Sequence, residues 1–236
     1  MSLLTICQNV GYEVGFSIPS IIAASTDQVA LQLKRLCNRE GKTLAQQSPP
    51  WQKLVKEGSI TLATADQDYV LPSDFEYIIP DTTWNRSTDR EVINPISSAD
   101  WQYFKAWSSV AGLNLRARIR NGQIEFEQTV TSAMNGQTIY YEYVHKYWCS
   151  SDGTTADKSA FTADTDVSLI DEEILTQGVV WRFKRQKGLD WETDFQDYSL
   201  LLRKKLAREA GSRTLDISGD FGSNVGVNIP ENGYSA

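Results

Sequence analysis

The chain has 236 residues, and its 23 Lys and Arg against 30 Asp and Glu leave a formal net charge of −7, which excludes a generally basic, nucleic-acid-coating protein. With 41% hydrophobic residues, it has enough apolar material for one large domain or two small ones without staples. A single His leaves little scope for metal sites or for acid/base chemistry near neutral pH.

The N-terminal residues up to Val10 read as a short helix, because Leu3, Leu4, Ile6 and Val10 are interrupted by polar residues and no basic region precedes them, as a signal peptide would require. No apolar run approaches the length of a membrane span, so a soluble protein is expected. Cys7, Cys37 and Cys149 are odd in number and far apart, which points to reduced, partly buried thiols in a cytoplasm. Ser25-x-x-Gln28 matches a capping box and opens a helix with Val29, Leu33, Leu36 and Leu44 near one stripe and Lys34, Arg35 and Arg39 outside. Gly41 is placed to end or bend it. Ser48-Pro49-Pro50 then leads into a further short helix with an apolar face of Trp51, Leu54 and Val55, ending at Gly58.

From residue 59 to 148 the pattern turns to strands. Ile60-Thr61-Leu62, Tyr77-Ile78-Ile79 and Glu91-Val92-Ile93 are short β-type runs, and Leu115–Arg120 and Gln123–Gln128 form a hairpin around Asn121-Gly122. Thr138–Trp148 is the strongest strand. Ser97-x-x-Asp100 caps one helix within this region, carrying Trp101, Phe104, Lys105 and Trp107. An Asp-rich loop fills residues 149–168. After Ser168-x-x-Asp171 a helix carries Ile170, Ile174, Leu175, Val180, Trp181 and Phe183 to Gly188, and a second, from Asp190 to Gly211, carries Trp191, Phe195, Tyr198, Leu202 and Leu206.

The expected fold is therefore α+β. Residues 1–58 and 169–211 would form a helical bundle, residues 59–148 a central antiparallel β-rich insertion, residues 149–168 a loop and residues 212–236 an extended tail. The acid is uneven: the segments 58–150, 151–168 and 212–236 sum to −4, −3 and −2, whereas 1–57 gives +2 and 169–211 balances.

Chemical motifs are weak. Gly41-Lys42-Thr43 lacks the earlier glycine of a phosphate-binding loop, Leu36 standing in its place, and it lies in a helix rather than after a strand. His145, alone on a strand, reads as structural. Asp171-Glu172-Glu173 reads as first-turn carboxylates facing a helix dipole. Asp152, Asp157, Asp164 and Asp166 lack calcium-loop spacing and read as a solvated loop. Arg116, Arg118 and Arg120 share one strand face, where cross-strand pairing with Glu125 and Glu127 is preferred to contact with an anionic partner. A carboxylate-pair hydrolase finds no more specific support than this.

Beyond the last helix, Leu215, Ile217, Phe221, Val225, Val227 and Ile229 alternate with polar residues and glycines, which is strand periodicity. Such a segment either folds back on its own β region or lies along another subunit, and the second option is favoured. Extended, residues 212–236 would reach on the order of 80 Å.

Tyr69-Val70-Leu71-Pro72-Ser73-Asp74-Phe75, preceded by Trp51–Ile60 and followed by Asp81-Thr82-Thr83-Trp84, resembles the head-to-tail adaptor proteins of tailed double-stranded-DNA bacteriophages, including the tail tubular protein A type. The resemblance continues in Tyr141-Glu142-Tyr143, in Asp166–Glu173 and from Trp181 through Gly188 to Asp190. It covers most of the chain up to about Gly211. It implies a non-enzymatic virion protein at the neck, assembled from the host cytoplasm as a ring, usually of twelve copies, below the portal protein. The C-terminal segment would dock on the portal, a downstream tail or nozzle protein would follow, and DNA would pass the channel without sequence-specific binding. No catalytic residue, metal, cofactor or membrane contact is implied. The competing reading is a carbohydrate- or ligand-binding module that stacks its ligand on exposed Trp84, Trp101, Trp107 and Tyr141.

Overall fold

The computed structural model describes residues 2–106 and 114–209 of the chain. Helix α1 (Leu3–Val14) starts on Ser2, whose hydroxyl accepts from the Thr5 amide, and stops at Gly15 in the left-handed conformation. It runs past Val10 because nothing before Gly15 breaks it. Helix α2 (Gln28–Ala45) is capped by Asp27, which accepts from the amides of Val29 and Ala30. The expected Ser25 instead accepts from the Asp27 amide, one step upstream. Gly41 neither ends nor caps this helix: it is buried in it, and a side chain at this position would strike the Trp148 ring.

The helix expected over residues 51–58 is absent. A single 3₁₀ turn, Gln52–Leu54, sends Trp51 and Leu54 into the core and passes directly into strand β1 (Val55–Thr61). Pairing explains the difference, because all seven residues of β1 register against β8 (Thr138–His145), and ladder bonds outweigh the local periodicity of three apolar residues. The β region thus begins at Val55, four residues before its expected start at residue 59.

Strand β8 is the central beam. Strand β1 runs antiparallel along one edge, and β3 (Phe75–Ile78) and β4 (Trp84–Asn85) share the other, with β5 (Arg90–Glu91) beyond β4. A second antiparallel sheet has the order β2-β7-β6, from Asp68–Val70, Gln123–Phe126 and Ala117–Arg120. Its β6–β7 turn is Asn121-Gly122, with φ of 53° and 73°, as the hairpin signature required. Helix α3 (Ser98–Ala106) lies before this hairpin, and the Ser97 hydroxyl accepts from the Asp100 amide. Strands β9 (Cys149–Ser150) and β10 (Val167–Ser168) pair to close the Asp-rich segment. Asp171 caps α4 (Glu172–Lys187), Gly188 ends it with φ 71°, and α5 (Glu192–Glu209) follows.

The fold is α+β. Helix α4 packs against α1, α2 and α5. The two ends of the described chain therefore meet in one apolar core, to which Trp51, Leu54, Val144, Trp148 and Phe161 also contribute. A second core gathers Leu62, Leu71, Ile124, Phe126, Ile139, Tyr141 and Tyr143 between the two larger sheets. Among the described residues, no helix is long and apolar enough to cross a membrane.

Candidate functional site

The Tyr69–Phe75 motif sits where β2 leaves one sheet and β3 enters the other. Leu71 is buried in the β core. Pro72 accepts at its carbonyl from the Phe75 amide (3.0 Å), which closes a turn. The Asp74 carboxylate does not close this turn but reaches across to the other strands, accepting from Lys56 Nζ on β1 at 2.8 Å and from the Tyr143 hydroxyl on β8 at 3.1 Å. Burial alone would raise the Asp74 carboxyl, but these two donors outweigh it and hold it below the ordinary range. The same contact, added to burial, pushes Tyr143 up to about 12. Phe75 lies against the Tyr143 ring at 5.7 Å, and Tyr69 meets Phe126 edge-on at 5.7 Å. The side chains of Tyr69, Asp74 and Phe75 thus reach across to neighbouring segments.

Trp181 belongs to a four-ring cluster with Trp191, Phe195 and Tyr198, its closest neighbour being Phe195 at 5.0 Å. This cluster fixes α5 on α4 after the reversal at Gly188. Beneath it is a charged group that the sequence reading missed. Glu40 of α2 is fully buried, accepts from the Tyr198 hydroxyl at 2.5 Å and from Arg182 Nε, and so ties α2, α4 and α5 together. A signal for it exists in the sequence: Glu40 continues the apolar stripe Leu33, Leu36, Leu44, and a carboxylate on such a face requires a partner.

The Asp-rich loop is solvated in its first half, where Asp152 and Asp157 are exposed, but not at Asp164 and Asp166. Asp164 accepts from the amides of Ile22 and Ala23 (3.1 and 2.7 Å), anchoring the loop to the segment between α1 and α2. Asp166, 1% exposed, accepts from Lys158 Nζ at 2.7 Å and from the amides of Thr162 and Ala163. Burial would raise its carboxyl, yet these donors bring it down to about 2. Asp152 and Asp157 accept from nearby amides and hydroxyls in the same way. Among the described residues no cluster of three or more His, Cys, Asp or Glu could hold a metal ion.

The arginine stripe of β6 is paired across the hairpin, Arg116 to Glu127 at 3.0 Å and Arg118 to Glu125 at 2.5 Å. Helix α3 covers it, with the two guanidinium groups over the rings of Phe104 and Trp101 at 3.8 and 4.0 Å. Trp101 and Tyr141 are only 4% and 2% exposed, so neither offers the stacking surface expected of it. Trp84 is half-buried, and Trp107 lies outside the described residues. The tail residues Leu215, Ile217, Phe221, Val225, Val227 and Ile229 also lie outside them.

Large apolar side chains do remain exposed on the helices: Tyr12 on α1 (80%), Leu31 on α2 and Leu200 on α5 (65%). A cleft of about 780 Å³ lies between α1 and the start of α4, where Tyr12, Glu13, Lys53, Glu172, Glu173 and Gln177 line it. All three cysteines are free and buried, with Cys7 Sγ and Cys37 Sγ 3.9 Å apart. Compared with known proteins, the chain matches no protein-family model and no curated protein.

Proposed function

We propose that the chain is a structural subunit of a phage head-to-tail adaptor, a ring beneath the portal that links capsid to tail and leaves a channel for DNA. In this reading helices α1, α2, α4 and α5 act as a bundle that forms the body of the ring, and the segment after α5 extends to the portal protein. The observation that carries the reading is the use made of the family-like residues. Tyr69, Leu71, Asp74, Phe75 and Trp181 serve as braces between strands or helices, and Pro72 closes the turn into β3, which is what a load-transmitting subunit without chemistry of its own requires. Exposed Tyr12, Leu31 and Leu200 on the helices support it further as contact points for neighbouring copies, since a closed ring needs two different patches meeting head to tail. The net charge of −7 suits a channel that must let DNA slide, because each neutralised phosphate would add attraction.

The test is the mass of the purified protein alone and mixed with the portal protein of the same phage. A ring bound to the portal is expected, and its loss on truncation at Ser212. A chain that never joins the portal, or a truncated chain that joins it unchanged, would overturn the reading.

A further inference from the structure

Helix α5 lays one face on α4 and turns Tyr198, Leu201, Leu202 and Leu206 toward the helical core. Its opposite face is open among the described residues: Thr193, Asp197, Leu200, Lys204 and Ala207 are all exposed, at the three- and four-residue spacing of a single helix stripe. Leu200 stands 65% exposed at the middle of that stripe. Asp197 lies three residues before it and Lys204 four after. Neither charge has an opposite charge three or four residues away on its own helix, which is where a helical ion pair would form. Neither forms an ion pair with another described residue, although Lys184, Asp194 and Lys205 nearby all do. The helix dipole accounts for acids early in α5 and bases late, but not for a large apolar side chain left open between them.

We propose that this face of α5 pairs with the same face of a second copy of the chain, antiparallel and centred on Leu200. Turned end for end about Leu200, the second copy sets its Lys204 opposite Asp197 and its Asp197 opposite Lys204. Leu200 then meets Leu200, and the small side chains of Thr193 and Ala207 lie opposite each other and let the helices approach. A parallel pairing would set Asp197 against Asp197 and Lys204 against Lys204, and such like-charge contacts are costly. One helix face covers less than the roughly 1,000 Å² of a lasting interface, so the dimer is weak and reversible. It does not rest on the ring reading: it uses one patch twice, whereas ring closure joins two different patches. Because the dimer covers Leu200, it must part before Leu200 can meet a ring neighbour.

The test is sedimentation of the full chain alone, without the portal protein, over a range of concentrations. A reversible dimer is expected at high concentration, weakened by added salt. Leu200→Asp, Asp197→Lys and Lys204→Asp replace exposed side chains and should leave the fold intact, yet each should weaken the dimer about tenfold. An equal mixture of Asp197→Lys and Lys204→Asp chains should dimerise at least as well as wild type, because each charge again meets its opposite. A dimer that all three variants leave unchanged, or a mixture that pairs no better than its components, would overturn the proposal. So would a full chain that stays monomeric. If the chain truncated at Ser212 then pairs where the full chain does not, residues 212–236 are the occupant of this face instead of a second copy.

Discussion

The helical core and the β core solve the same problem with different materials. The helical core joins segments more than a hundred residues apart and holds a charge at its centre, Glu40 bonded to Arg182 and Tyr198. The β core is apolar and aromatic inside and keeps its hairpin ion pairs outside that core, partly buried under α3, at Arg116–Glu127 and Arg118–Glu125. Strand β8 belongs to both, with Val144 in the helical core and Ile139, Tyr141 and Tyr143 in the other. A buried charge fixes which helices meet, whereas a cross-strand pair only supports a register already set by Asn121-Gly122. The energetic consequences should differ accordingly.

The largest expected effect is at the hub. Glu40→Ala leaves Arg182 and Tyr198 without their acceptor and should cost about 3–5 kcal/mol in urea unfolding. Loss below about 1 kcal/mol would mean that the triad does not hold the helices. In the β core the counterpart is Ile124→Ala, a fully buried side chain, which should cost about 2–5 kcal/mol through lost burial and the cavity left behind. If only this second variant altered the β region, with the helices intact by circular dichroism, the two cores would be separate cooperative units. One shared transition is expected instead, because β8 serves both.

A third test concerns the loop that ties α1 to the β9–β10 pair. The Asp166 carboxyl is lowered in the folded protein to about 2, so its contribution is present above the unfolded value near 4 and is lost as pH falls from there through 2. That contribution is about 2 kcal/mol at neutral pH. Asp166→Asn should remove it, giving a chain that is less stable at neutral pH and loses less stability than wild type between pH 4 and 2. Identical acid-unfolding curves would show that the carboxylate is not a brace. The smallest effect belongs to the cross-strand pair: a double-mutant cycle on Arg118 and Glu125 should give a coupling of about 0.5–1 kcal/mol. A coupling as large as the Glu40 effect would erase the contrast between the two regions.

Much of the local structure was legible because its causes are local. The hairpin turn needs positive φ at both centres, and Asn121-Gly122 supplies it. Gly188 ends α4 for the same conformational reason, and the spacing of Trp191, Phe195 and Tyr198 gives α5 its face toward Trp181. The pairing of the β6 arginines also followed from strand alternation. The 51–58 segment misled because its helical pattern is short, and pairing to β8, eighty residues away, decided its conformation. Two of the loop aspartates, Asp164 and Asp166, misled for a related reason. Their amide partners, among them Ile22 and Ala23, are remote or set by turns with no spacing signature.

The sequence by itself determined the α+β character, the long helices at both ends, the β6–β7 hairpin turn and the acidic balance of −7, since all of these rest on periodicity, backbone preference or counting. Only the tertiary structure decided that Glu40 is a buried keystone, that Asp74 braces β1 to β8 and that Asp164 and Asp166, unlike the exposed Asp152 and Asp157, anchor their loop. Each of these depends on which distant segments share a neighbourhood, and burial and charge pairing acquire their meaning only there.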